Sequence, residues 1–487
     1  MRGPTPIGWF PRWLLLLWLG VIGAAAPAPA AADGLAAPRA ARGRLATAPL
    51  APGTYHAQVA KVLYLNRCRG GCTITKAGLS DARTHLSSIP DGVPGQMFTL
   101  GEYMWGDAEW NQLMTCMREV YSPFDVAITD VQPASGVAYN EGIIAGLDSE
   151  LGLSGVGGIA PVSGDCSPYS YIISFSFANG YGPNSVLDVC WTAAQETAHS
   201  FGIEDHSYEF LDGSSACRDP MTYRSDCGGQ KFFRNEIAIC GEFQPRGCRC
   251  STPNSHLKLV SVLGAGTPLT PPPTVVITSP AAGAELTPGT SVLATASAQR
   301  GVKVMELWLN GYKWAERNGA AFGPSGQPES GYALAIPPDV PDGIIDIVVK
   351  AKDDIDATTA TPPVTVRKGA PCTSADTCAK GQRCDEGRCL WDAPAGVLGD
   401  PCTYPQYCLS GICQGTADEQ ICTQTCVAGV DDSCPPDYSC LPTSPSLGIC
   451  WPGELEDPGC CSSSSDAATQ AVLCALGLLV VLRRRRR

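Results

Sequence analysis

Residues 193–207, "AAQETAHSFGIEDHS", contain side chains suited to binding a metal ion and moving a proton. Gln195 and His199 are four residues apart, so a helix would place both on one face, with Glu196 beside them. An imidazole and a side-chain oxygen can hold a metal ion, and an adjacent carboxylate can accept a proton from water. The spacing therefore predicts a helix with two metal ligands and a general base for hydrolysis.

The residues after this helix supply more candidate ligands. Gly202 is placed to end the helix in a left-handed turn. A reversal there would return Asp205 or His206 towards His199, and either could be the third ligand. Gln195 is expected to be a weak or indirect ligand, because an amide oxygen is a poorer partner for zinc than an imidazole nitrogen.

This pattern resembles the metzincin zinc peptidase motif, H-E-x-x-H-x-x-G-x-x-H/D. Gln195 departs from the motif at its first ligand. The matching residues are Glu196, His199, Gly202 and Asp205. The "GIEDH" ending is similar to the Asp-ligand, snapalysin-like variant, in which the Asp is also followed by a His. The resemblance implies one zinc ion held by His199 with Asp205 and/or His206, and Glu196 as general base.

A second stretch, "CRDPMTYRSDC" at residues 217–227, resembles the Met-turn of the matrixins and other metzincins. The resemblance implies that Met221 lies under the metal site. It also places Tyr223 where some metzincins have a tyrosine that contacts the metal or the transition state. The cysteines expected to form disulfides in this region and around it are Cys68, Cys72, Cys217, Cys227, Cys248 and Cys250.

Hydrophobic periodicity predicts the elements that position these residues. Asp107 is a plausible N-cap for a helix that Pro123 ends. The apolar face of that helix comprises Trp110, Leu113, Met114, Met117, Val120 and Tyr121. Strands are predicted at 124–128 and 169–180, and Ser185 with Asp188 predicts a capping box for the next helix. The remaining histidines, His56, His85 and His256, are expected to be ordinary surface or strand residues.

Composition divides the 487 residues into several units, which is consistent with a chain too long for one core. Residues 1–32 read as a secretory signal peptide, and residues 52–262 as the α+β metzincin-like domain. A Pro-rich linker at 263–273 precedes a cysteine-free segment, 274–368, with about seven short strand-like runs. This segment resembles a bacterial Ig-like domain, an all-β sandwich that usually acts as a spacer and less often as an adhesin.

Residues 371–453 hold twelve of the 25 cysteines and few apolar runs, so disulfides must stabilise a small module there. The spacing resembles EGF-like or Dickkopf-like repeats, acting as a rigid stalk or as a ligand-binding module. Residues 459–487 combine a Cys pair, a Ser run, a 16-residue apolar stretch and five arginines. This arrangement resembles the MYXO-CTERM sorting tail, which implies display on the cell surface or release after processing; a plain transmembrane anchor is the alternative.

These features predict a secreted, surface-displayed zinc metallopeptidase acting on peptides or proteins. The expected partners are the substrate and the export and sorting machinery, with membrane contact only through the signal and the tail. A net charge of −13 argues against nucleic-acid binding. Two alternatives stay open: an inactive pseudopeptidase that binds a peptide or a surface partner, and a structural protein whose function lies in the Ig-like and Cys-rich modules.

Overall fold

The computed structural model describes residues 44–49, 59–208, 218–224, 229–251, 253–319, 330–415, 419–430, 433–444 and 447–453. The predicted signal peptide, the predicted sorting tail, His56, Cys217 and Cys227 lie outside these residues. No helix within the described ranges is long and apolar enough to cross a membrane.

The first domain is built on a mixed sheet with two packed helices, a small second sheet and a third, shorter helix. Its elements are β1 (Arg44–Pro49), β2 (Val62–Asn66), β3 (Cys72–Lys76), β4 (Leu86–Ser87), β5 (Met97–Leu100), α1 (Gly106–Tyr121), β6 (Ala127–Thr129), β7 (Asn140–Ile144), β8 (Val156–Val162), β9 (Ile173–Ser176), α2 (Val186–His199) and α3 (Ser255–Leu263).

The main sheet has the strand order β1-β8-β9-β7-β2-β6, and β4-β3-β5 form the small sheet. Strands β9, β7, β2 and β6 are parallel, and β8 runs antiparallel to β9. Strand β1 pairs in parallel with the outer edge of β8, where Leu45 faces Gly158. The sheet therefore includes residues before the predicted boundary at 52.

Helix α1 buries the predicted apolar face, and the Cys116–Cys190 disulfide joins it to α2. The prediction of its N-terminus was wrong: the helix begins at Gly106 with Trp105 as N-cap, and Asp107 pairs with Arg67. The Asp107 carboxylate, which was expected to cap the helix, thus forms an ion pair with Arg67.

Both predicted strands are shorter in the structure. Before β9, the Asn140 side chain donates to the Tyr169 carbonyl at 2.9 Å and accepts from the Ile172 amide at 3.1 Å. Since a side chain satisfies these backbone groups, no strand ladder is needed there. Helix α2 begins after Ser185, as expected. The Ser185 hydroxyl does not cap the helix as predicted, because it donates to the Tyr181 carbonyl.

The second domain is a β-sandwich, and this part of the predicted fold class is confirmed. One sheet has the order β10-β11-β14; the other has β13-β12-β15-β16, with β17 also paired to β15. The strands are β10 (Thr274–Ser279), β11 (Ser291–Ser297), β12 (Val304–Leu309), β13 (Tyr312–Asn318), β14 (Gly331–Ala335), β15 (Gly343–Lys352), β16 (Thr358–Ala360) and β17 (Val364–Lys368). Alternating buried residues of β11, β14 and β15 form its core.

The third region consists of short hairpins held by disulfides, and the prediction of a disulfide-rich module is confirmed. Its strands are β18 (Gln382–Asp385), β19 (Arg388–Trp391), β20 (Cys413–Gly415), β21 (Gln420–Cys422), β22 (Thr425–Val427), β23 (Tyr438–Pro442) and β24 (Leu447–Pro452). The six bonds are Cys372–Cys384, Cys378–Cys389, Cys402–Cys413, Cys408–Cys422, Cys426–Cys440 and Cys434–Cys450. Each successive set of four cysteines is joined first to third and second to fourth, so three units repeat one pattern.

Candidate metal and catalytic site

Helix α2 carries the candidate site at its buried C-terminal end. The helix contacts α1 and strands β7, β8 and β9, and its last residues are buried on every side. The turn that follows depends on Gly202, which has φ +79°, and a Cβ there would collide with the backbone of Cys166. Only glycine accommodates both constraints, so the sequence signal for a reversal has a specific structural cause.

The reversal brings two imidazoles together. The rings of His199 and His206 lie 5.1 Å apart at an interplanar angle of 75°. The Nδ1 atom of His199 lies 2.5 Å from the Ile203 carbonyl, and that of His206 lies 3.0 Å from Glu242 Oε1. Both Nδ1 atoms therefore act as donors, which fixes the tautomer. Each Nε2 atom is then unprotonated and carries a lone pair.

Among the residues that the structure describes, neither Nε2 atom has a hydrogen-bond partner, although both are buried. Burial, reinforced by His206 nearby, lowers the pKa of His199 to about 3. Burial also lowers the pKa of His206, while the Glu242 carboxylate opposes that shift. Both rings are therefore neutral near pH 7, which is the form that binds metals.

The other two predicted helix residues are also buried without partners. Within the described part of the chain, neither polar atom of the Gln195 amide and neither oxygen of the Glu196 carboxylate makes a hydrogen bond. Glu196 has no solvent exposure, and burial raises its pKa well above the usual range. Gly158 on β8 makes room for this carboxylate, because a Cβ there would lie 2.8 Å from Glu196 Oε1.

Asp205, one of the two candidates for the third ligand, is hydrogen-bonded to residues other than the imidazoles. Its Oδ1 accepts from Arg246 Nη1 at 2.6 Å and from the Arg249 amide at 3.0 Å, and its Oδ2 accepts from the Cys250 amide at 2.7 Å. A carboxylate with these partners is an anchor for the loop around Cys250. Within the described ranges, the sets of three His, Cys, Asp or Glu ligand atoms lying within 4.8 Å of one another include neither histidine.

The predicted Met-turn residues lie next to the reversal. The amide of Met221 donates to Asp219 Oδ1 at 2.8 Å, and its carbonyl accepts from the Ser207 amide at 2.8 Å. The Tyr223 ring packs on His206 with centroids 4.6 Å apart, and Phe243 lies 5.4 Å from Tyr223. The structure therefore places the Tyr223 ring beside the His206 imidazole.

Sequence reasoning missed Glu242 and Arg246, which orient this site. The hydrogen bond from His206, followed by the contact with Arg246, lowers the pKa of Glu242. Arg246 Nη2 lies 2.7 Å from Glu242 Oε1 while its Nη1 contacts Asp205. The only available signal was an acid and a base four residues apart between Cys240 and Cys248.

The remaining sequence-based expectations have mixed outcomes. His85 is exposed in a loop, as expected, but His256 is buried on α3 with its ring 5.2 Å from Phe124, so the expectation of a surface or strand residue was wrong there. The tertiary packing of α3 covers this ring, which local sequence could not show. Among the described residues of the first domain, the disulfides besides the one between α1 and α2 are Cys68–Cys72, Cys166–Cys250 and Cys240–Cys248.

One family model matches this chain, within the sandwich. Residues 273–349 match the model of the bacterial Ig domain. A solved structure of the fibronectin(III)-like modules of Clostridium thermocellum CbhA aligns over 20% of this chain and 94% of its own, with 15% identity and a TM-score of 0.15. No curated protein matches the chain. The family match lies outside residues 52–262, so any relation to a peptidase rests on the residues and geometry described above.

Proposed function

We propose that residues 52–262 form a secreted, metzincin-like zinc metallopeptidase domain that hydrolyses peptide bonds. The observation that carries this proposal is the pair of buried imidazoles, each with Nδ1 held by an acceptor and Nε2 left without a partner. Buried polar atoms are normally hydrogen-bonded, so a cluster of unpartnered ones indicates a ligand that satisfies them.

The residues present fit a divalent zinc ion with a departure from the usual ligand set. His199 and His206 supply two nitrogen donors, and Gln195 is the third candidate through its amide oxygen, in place of Asp205. Glu242 orients His206 as acidic groups orient metal-bound histidines elsewhere. A zinc ion held there would supply the Lewis acidity that amide hydrolysis requires.

The chain's own groups provide the proton transfers. Glu196, between Gln195 and His199 on α2, is the candidate general base that later returns the proton to the leaving amine; burial raises its pKa, and the charge of a zinc ion held there would lower it and favour the ionised carboxylate that this role requires. Tyr223, packed against His206, is the candidate donor to the developing oxyanion. The signal-like and tail-like termini support a cell-surface location for this activity.

A second candidate function is a pseudopeptidase that binds a peptide or protein without cleaving it. One observation favours it: Gln195, Glu196, His199 and His206 are each at most 2% exposed. The β8 edge beside Gly158 is also paired with β1. A substrate reaches such residues only after a covering segment moves.

Metal analysis of the purified protein, combined with a peptide-library cleavage assay, tests both candidates. We expect one zinc per chain and cleavage that is lost in Glu196→Gln. Glu141→Gln is the matched control, since Glu141 is another buried carboxylate, on β7, and hydrogen-bonds to Asn66. Absence of bound zinc contradicts the proposal, as does cleavage that persists in Glu196→Gln. Zinc binding without cleavage supports the pseudopeptidase.

A further inference from the structure

The Ig-like domain contacts the first domain through buried charges, which is unusual for a spacer. The contact is made by residues 231–235, which we call the bridge segment. On one side the bridge segment meets the turn containing Met221; on the other it meets two loops of the sandwich. The charged residues Arg234, Arg300 and Asp354 between them are at most 1% exposed.

The sandwich side of this contact is a bidentate ion pair. Arg300 Nε and Nη2 donate to the two oxygens of Asp354 at 2.8 and 2.9 Å. Arg300 Nη2 also donates to the Phe233 carbonyl at 2.8 Å, and Asp354 Oδ2 accepts from the Asn235 amide at 3.0 Å. The pair thus holds the backbone of the bridge segment as well as itself.

Arg234 completes the link from the other direction. Its guanidinium donates to the Arg300 carbonyl and lies 3.2 Å from Asp354 Oδ1. Its backbone amide donates to Asp219 Oδ2 at 2.8 Å, and Asp219 Oδ1 accepts from the Met221 amide at 2.8 Å. Asp354, Arg234 and Asp219 therefore connect the sandwich loops to the Met221 turn, and all three residues are buried.

A second contact runs from the bridge segment to the site helix. The Lys231 ammonium lies 4.9 Å from the ring centre of Trp191 on α2 and donates to the carbonyls of Thr222 and Arg224. Lys231 is 2% exposed. The bridge segment thus contacts both elements that flank the imidazole pair: the helix before it and the Met221 turn beside it.

We propose that the Ig-like domain is a positioning element of the candidate site, acting through Arg300 and Asp354. These two residues hold the bridge segment, and the bridge segment holds the Met221 turn against the helix reversal. Removing one partner of a buried ion pair strongly destabilises a protein, because the remaining charge stays buried without a partner. The sandwich is therefore part of the structure that fixes the site, and the site's relevance to metal binding rests on the function proposed above.

The test compares Asp354→Asn with Asp346→Asn in the metal-free full chain. Asp346 lies at the other end of the sandwich, where it pairs with Arg388 of the Cys-rich region at 2.9 Å, so it is a matched control. Hydrogen exchange of residues 218–224 and 229–236 is the readout. We expect exchange there to accelerate by about tenfold or more in Asp354→Asn alone, while β11 and β15 stay protected.

Equal exchange at 218–236 in folded Asp354→Asn and wild type overturns the proposal, and so does loss of protection throughout the sandwich. If Asp354→Asn does not fold, Lys303→Met tests the same contact more gently, since Lys303 Nζ donates to the Asn235 carbonyl at 3.4 Å. Zinc affinity forms a separate arm and should fall by about tenfold in Asp354→Asn. A wild-type protein that binds no zinc refutes the proposed function, and the exchange data still decide the positioning role.

Discussion

Two buried polar clusters in this protein differ in one respect. Around α2, Gln195, Glu196 and the two Nε2 atoms are buried without partners. Between the first domain and the sandwich, both oxygens of Asp354 accept hydrogen bonds from arginines and from a backbone amide. Among the described residues, the difference lies in the carboxylates: that of Asp354 is hydrogen-bonded at both oxygens and that of Glu196 at neither, although Arg300 Nη1 beside Asp354 also makes no hydrogen bond.

The energetics of the two clusters should differ accordingly. Burial alone would raise the pKa of Asp354, but Arg234 and Arg300 lower it to about 2. Burial of Glu196 is opposed by no such partner, and its pKa is raised. Replacing Asp354 should therefore destabilise the fold, whereas replacing Glu196 should stabilise the metal-free fold.

The largest effect is expected for Asp354→Ala, which leaves Arg300 buried without a counterion and Arg234 with Glu236 as its remaining carboxylate partner. We expect the free energy of unfolding to fall by about 3–5 kcal/mol, measured by urea denaturation. Asp392→Ala, which removes an exposed pair with Arg383, should leave the midpoint unchanged. A similar fall in the free energy of unfolding for both variants would show that the buried Asp354 cluster is no more important for stability than an exposed ion pair.

The next effect concerns metal affinity. Replacing His199 or His206 by Asn should weaken zinc binding by more than about 100-fold, since losses in the outer shell alone reach that size. The control is His85→Asn, because His85 is exposed at φ +54° and Asn tolerates that backbone conformation. Competition with a chromophoric chelator measures all three; unchanged affinity in the first two variants would remove the imidazoles from the site.

Glu242→Gln should have a smaller effect, because Glu242 orients His206 and does not itself face the site. We expect zinc affinity to fall by about 10–100-fold while the fold is retained. The comparison variant is Glu316→Gln, whose exposed carboxylate pairs with Lys313 in the sandwich. Equal affinities for the two variants would show that orientation of His206 is unimportant.

Glu196→Met should stabilise the metal-free protein, by about 1–2 kcal/mol, because an unsatisfied buried carboxyl group is replaced by an apolar side chain of similar length. Thermal unfolding in the presence of a chelator measures this change. A destabilised Glu196→Met protein would mean that Glu196 has a structural partner, which would place its cluster in the same class as that of Asp354.

Glu141 is intermediate between the two clusters. Its Oε1 accepts from Asn66 at 2.7 Å while its Oε2 has no partner, and burial raises its pKa to about 7. Because the folded pKa is above the unfolded one, ionisation costs stability as pH rises from about 4.5 to 7. The stability of Glu141→Gln relative to wild type should therefore rise by about 2–3 kcal/mol between pH 5 and pH 8, as followed by urea denaturation. An equal difference at both values would exclude this titration.

The sequence by itself determined the features that depend on local spacing. Hydrophobic periodicity and cysteine spacing predicted helix α2, the sandwich strands and the cysteine-rich repeats. The left-handed turn at Gly202 was predictable because glycine adopts that conformation readily. It also placed Gln195, Glu196, His199 and His206 on the elements that carry them. These are short-range properties, fixed by neighbours in the chain.

Only the tertiary structure decided which of the candidate ligands share a site. Asp205 and His206 are adjacent in sequence, yet one contacts Arg246 and the other faces His199. The choice depends on a loop about forty residues away that supplies both Arg246 and Glu242. Likewise, Arg300 and Asp354 look like ordinary surface charges of a sandwich until the bridge segment covers them. Long-range contacts settle such cases, because the free energy of a buried charge depends on partners that local sequence does not contain.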